Sequence, residues 1–100
     1  MILVNSIQEI KEAISENDYV LLFIGDSACS TSRALDNKIE DFGEKHSKVK
    51  VLFTLLAALP TLASEYMVFV APLVILFVEG KEVYREGRFV EFAKLEKYIQ

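Results

Sequence analysis

"VFVAPLVILFVEGKEVYREG", residues 68–87, is the stretch on which the fold turns. Its core, "PLVILFV", is a continuous apolar run of strand length. "EGK" interrupts it, and "EVYREG" follows as a second strand. Gly80 supplies the turn, so the two runs predict a β-hairpin. Pro72 opens the first strand and interrupts the apolar run before it. Lys81, Arg85 and Arg88 read as charges that keep an exposed edge from pairing with other chains.

Working upstream, "PTLASEY" (60–66) predicts a short helix with Pro60 in its first turn. "KVKVLFTLL" (48–56) predicts a strand. "YVLLFIG" (19–25) is apolar throughout, as expected of a strand buried on both faces of a sheet. Between these two strands, Leu35, Ile39 and Phe42 keep a helical rhythm that Gly43 weakens near its end. Nearer the start, "ILV" (2–4) is a short strand. Ser6 and Glu9 form a capping box, and Ile7, Ile10 and Ile14 mark a helix from Ile7 to Glu16. Downstream of the hairpin, a helix over residues 89–99 puts Phe89 and Phe92 in the core, with Leu95 and Ile99 inward. The order is β-α-β-α-β-α-β-β-α, an α/β chain of one domain over residues 1–100. Its early alternation implies parallel strands and its hairpin an antiparallel pair.

The 100 residues are 52% hydrophobic and 26% charged, which excludes a disordered chain. The net charge of −4 and the lack of a basic patch argue against nucleic acid as a partner. The longest apolar runs, 51–63 and 66–78, contain proline and fall short of the roughly 20 residues that cross a membrane. With no basic leader either, a soluble, cytoplasmic domain with no membrane partner is expected. One cysteine allows no internal disulfide, and one cysteine with one histidine cannot build a four-ligand zinc site. No metal or cofactor is expected. His46, in "EKHSK", reads as a solvated loop residue. The apolar "LLAALPTLA" (55–63) reads as extra core, or as the surface of a weak homodimer or of a partner docked beside the active site.

"GDSACSTSRAL", residues 25–35, holds that one cysteine, Cys29, at a strand-to-helix turn. A helix N-terminus lowers a thiol's pKa, and the thiolate is the nucleophile in disulfide exchange. Cys29 is therefore a candidate nucleophile; a small buried hydrophobe is the alternative.

Taken in order, these segments resemble the thioredoxin family along nearly the whole chain. "VLLFIG" leads to a cysteine opening a helix. A strand and a short helix ending in Tyr66 follow, then residues 68–87 as proline, strand, glycine turn and strand. The resemblance implies a thioredoxin-like fold, a central mixed sheet of about five strands flanked by helices. It implies that Cys29 is the attacking cysteine, that Ser32 stands at the resolving position, and that Pro72 is a cis-proline facing the sulfur. It further implies that the backbone at Ala71 pairs with substrate peptide. Ala28 stands where the family carries tryptophan and Phe23 where it carries a buried aspartate. "LLAA" (55–58) replaces acidic residues, and Leu73 stands where threonine often follows the proline.

With Ser32 in place of a second cysteine, a single-thiol exchange protein is the expectation. Its catalytic residues are Cys29 and Ser32, and its partner-binding residues Ala28, Ala71 and Pro72. Its partners are disulfide-bearing or extended peptides of other proteins, with glutathione as a small-molecule candidate. A non-catalytic peptide-binding module of the same fold is the alternative.

Overall fold

A computed structural model describes residues 1–26, 33–87 and 89–99. The strands are β1 (Ile2–Leu3), β2 (Tyr19–Gly25), β3 (Val49–Leu55), β4 (Leu73–Val78) and β5 (Lys81–Glu86). The helices are α1 (Ile7–Glu16), α2 (Arg33–Lys45), α3 (Leu62–Tyr66) and α4 (Phe92–Tyr98), and Leu56–Ala58 form a 3-10 turn. The strands form one mixed sheet in the order β1-β3-β2-β4-β5. β1 and β2 lie parallel to β3 on its two sides, while β4 is antiparallel to β2 and to β5. This is the thioredoxin fold.

β2 is the middle strand of the five, and every residue from Val20 to Gly25 is buried. Its side chains alternate between two cores, as the period of a strand dictates. Val20, Leu22 and Ile24 join Ile10 of α1 and Leu62 of α3 on one face. Leu21 and Phe23 join Ile39 and Phe42 of α2 and Leu95 of α4 on the other. A strand sandwiched in this way must be apolar at every position, which is why "YVLLFIG" shows no alternation.

The local signals act as local chemistry requires. At the start of α1, Ser6 Oγ accepts the Glu9 amide at 3.2 Å. Glu9 Oε1 reaches back one residue further than a standard box, to the Asn5 amide at 3.1 Å. The hairpin turn holds Glu79 at φ 51° and Gly80 at φ 84°. Two consecutive positive φ values are the type I′ geometry whose twist matches the strands.

Gly43 lies in the last turn of α2, near its end as expected; a Cβ there would sit 3.1 Å from Val51 Cγ2, so the bare backbone lets the helix approach β3. Three sequence expectations are corrected. Pro60 precedes α3 by two residues, since the 3-10 turn and Leu59 occupy the approach. Phe89 is 84% exposed and lies ahead of α4, whose start is set where the Glu91 amide donates to Tyr84 Oη at 2.9 Å. His46 is half-buried: its ring lies 4.5 Å from that of Phe42, and Nε2 bonds Glu96 Oε2 at 2.8 Å, joining the end of α2 to α4. As for "LLAALPTLA", Leu59 and Leu62 are core and Leu56 packs against it.

Two outcomes follow from these contacts. Glu79→Asn should stabilise the protein by about 0.5 kcal/mol, read by urea denaturation, because asparagine tolerates the left-handed region better than glutamate. The hydrogen bond from His46, then the charge of Lys45, holds the Glu96 carboxyl below the usual carboxylate range. A lowered folded-state pKa gives stability that is present above the ordinary carboxylate range and lost as the pH falls through the lowered value. Glu96→Gln should therefore unfold at lower urea than the parent at neutral pH, and the difference should vanish in acid.

Candidate functional site

The site is built at one end of the sheet. β2 and β4 run antiparallel with Ile24 opposite Leu73, the last pair of their ladder. Gly25, where β2 ends, and Pro72, just before β4, are thus the next positions along that register. β3 reaches the same end with Leu55 opposite Gly25. β5 arrives there at Gly87, where a Cβ would lie 3.3 Å from the Pro72 carbonyl oxygen. The Ala71–Pro72 peptide bond is cis, and both residues are half-buried.

The chain leaves β2 at Gly25, and α2 is described from Arg33. Ala28, Cys29 and Ser32 lie outside the described residues. Of the five site residues expected from the sequence, the structure locates Ala71 and Pro72.

The segment leading to Pro72 is pinned by a side chain of β5. α3 ends with Met67 in the left-handed conformation, φ 55° and ψ 45°, its amide bonded to the Leu62 carbonyl. Val68 is fully buried. Arg85, expected to guard an edge, instead donates from Nη2 to the Tyr66 carbonyl at 2.7 Å and from Nη1 to the Met67 carbonyl at 2.9 Å. Glu82 holds the other side of the guanidinium, at 2.8 Å from both Nε and Nη2. The planar fork satisfies the last carbonyls of α3, which have no partner within the helix.

The result is an exposed apolar crown. Met67, Phe69 and Val70 are 70%, 69% and 67% exposed around the buried Val68. Phe89 stands two residues beyond Gly87 and is also exposed. The sequence reading missed these four residues. The signal available was an apolar run continuing through a loop, between a helix end and a proline, where no strand or helix could bury every side chain.

The core is apolar on both faces of the sheet. Phe23 is fully buried, its ring 5.5 Å from that of Phe53, so no ionisable group stands where the resemblance implies an acid. Thr54 is the one buried polar side chain among the described residues. Tyr66 packs edge-on against Phe77 at 5.9 Å, and burial, then the charge of Glu65, pushes its phenol pKa upward. Among the described residues no three His, Cys, Asp or Glu side chains gather as metal ligands would, and no helix is long and apolar enough to cross a membrane.

No protein-family model matches the chain. A curated Bacillus subtilis protein, thioredoxin-like protein YdfQ, is 24% identical over 96 residues, covering 96% of this chain and 86% of the relative. A mutant thioredoxin from Halobacterium salinarum superposes with a TM-score of 0.86 at 24% identity, covering 99% of this chain and 90% of that one. Fasciola hepatica thioredoxin gives 0.83 at 20% identity, covering 98% and 96%. The chain is thioredoxin-like in sequence and has the thioredoxin fold.

Arg85→Lys tests the pinning of the crown. A lysine cannot grip two carbonyls and a carboxylate together, so stability should fall by about 1–2 kcal/mol. Amide hydrogen exchange across residues 67–71 should rise with it.

Proposed function

We propose that this thioredoxin-like chain is an oxidoreductase of the thiol–disulfide exchange type, acting through the single nucleophile Cys29. The observation that carries the reading is the β2–β4 register. β2, from whose end the Cys29 segment departs, pairs through Ile24 with Leu73, so the strand end and Ala71–Pro72 share one end of the sheet. A partner peptide extended along Ala71 would present its disulfide at that end.

In the forward step the Cys29 thiolate attacks one sulfur of a partner disulfide. A Cys29–partner disulfide forms, the partner's own S–S bond breaks, and its other sulfur leaves as thiolate. Ser32 has no thiol with which to break the mixed disulfide. Two external thiols, of glutathione or of another protein, complete the cycle: the first attacks the Cys29 sulfur and releases the partner's sulfur as thiolate, and the second attacks the sulfur now bound to Cys29, forming the external disulfide and releasing the Cys29 thiolate. With Phe23 in place of an acid, the thiol proton passes to solvent rather than to a buried carboxylate. The reaction needs neither metal nor organic cofactor, and it suits a reducing compartment such as the cytoplasm.

A non-catalytic peptide-binding module is the second reading, and the crown favours it. Met67, Phe69 and Val70 offer apolar surface in the chain just ahead of Ala71, whatever the state of the thiol.

Two measurements separate the readings. Incubation with glutathione disulfide should add one glutathione to the protein by mass, and Cys29→Ser should remove it. The rate of Cys29 alkylation against pH should report a pKa below the ordinary value of about 8.5. A pKa at or above that value, with no glutathione adduct, overturns the exchange reading. Peptide binding that survives Cys29→Ser then supports the module.

A further inference from the structure

The two edges of the sheet are built differently. β5 is charged at Lys81, Glu82, Arg85 and Glu86, and its ladder with β4 is irregular at Leu76–Phe77. Charges and irregularity are how edge strands avoid pairing with other chains. At the other edge β1 pairs with β3 only at Leu52 and Phe53. Among the described residues Val49–Val51 therefore have a strand neighbour on the β2 side alone. The Val4 amide donates to the Phe53 carbonyl at 2.8 Å, which shows that the backbone of Phe53 turns toward β1. Backbone direction alternates along a strand, so the Val51 amide and the Val49 carbonyl face the empty lane on the same side.

A groove of about 480 Å³ runs along that lane. On the α2 face of the sheet its floor is apolar, made by Ile39, Val49 and Val51, and Gly43 adds no side chain to fill it. Glu40 and Glu44 rim this face from α2. They are like charges one helical turn apart, an arrangement that costs α2 stability. Lys50 belongs to the opposite face of the sheet: its neighbours Val49 and Val51 pack with α2, while Leu52, two residues on, packs with α1 and α3. Among the described residues none of these three charges makes an ion pair. The lane is thus acidic on one face and basic on the other, with open backbone groups between.

We propose that this lane takes a short strand of a partner protein in which two basic residues flank an acidic one. The partner strand adds beside Val49–Val51 and bonds the Val51 amide and the Val49 carbonyl. Its two basic side chains fall on the α2 face. Their aliphatic stems cover Ile39, Val49 and Val51, and their charged heads reach Glu40 and Glu44. The acidic residue between them turns to the other face, opposite Lys50, as a favourable cross-strand pair. A wholly basic strand would meet Lys50 with like charge, and a wholly apolar one would leave all three charges without a partner. The order of charges therefore selects the occupant. Three paired residues hold weakly, so the isolated segment binds with a dissociation constant on the order of 1 mM. Val49 starts β3 and the Ala71–Pro72 end lies where β3 stops at Leu55, so this surface does not depend on the exchange reading.

Two pentapeptides test it, acetyl-TKEKT-amide and its charge-exchanged control acetyl-TEKET-amide, each titrated to about 10 mM against the labelled protein by NMR, a range that brackets the expected constant. The first should shift the amide signals of Glu40, Glu44, Val49 and Val51, and the control should not. Lys50→Glu alone should weaken binding of the first peptide at least tenfold. The triple variant Glu40→Lys, Glu44→Lys, Lys50→Glu should bind the control and release the first peptide; all three positions are exposed, so its circular dichroism spectrum should match the parent's. Cys29→Ser should bind as the parent does. A parent silent to the first peptide, equal shifts from both peptides, shifts centred on residues 67–71 instead, or a folded triple variant that does not exchange its preference each overturns the proposal.

Discussion

The antiparallel pairing of β2 with β4 is the constraint on which the molecule depends. β2 is held by ladders on both edges and by helices on both faces, so its position is determined more fully than that of any other element. Because β4 pairs with it in the opposite sense, the end of β2 and the start of β4 fall at the same end of the sheet. A parallel β4 would have put Ala71 and Pro72 at the far end from Gly25. The candidate site is therefore a consequence of strand direction before it is a matter of any side chain.

A second device shapes what surrounds that end. The chain between α3 and β4 carries more apolar side chains than the core can take: Val68 is buried while Met67, Phe69 and Val70 face out. Left unheld, such a segment would collapse onto whatever apolar surface it met. Arg85 prevents this by satisfying the carbonyls of Tyr66 and Met67 from a neighbouring strand, with Glu82 balancing its charge. Apolar surface held in place binds at lower conformational cost than surface that must be ordered on contact.

Much of the fold was legible. α1 and β2 begin and end where their cap, periodicity and apolar run say, and the hairpin turns at Gly80. Less of the site was. Arg85 reads as an edge charge until the end of α3, 18 and 19 residues away, is brought beneath it. His46 reads as a loop residue until Glu96, 50 residues on, closes over it. Phe89 reads as core because three residues separate it from Phe92; it is exposed because Tyr84 sets the helix start after it.

The sequence by itself determined the kinds of element and their order, because period, capping and turn geometry act between residues a few positions apart. It also determined that the chain carries one cysteine, with a serine three residues on. Only the tertiary structure decided which apolar residues stay exposed, which charge grips which carbonyl, and which sheet edge is left open. Those outcomes depend on strand register and helix docking across tens of residues, where no local pattern in the chain records the partner.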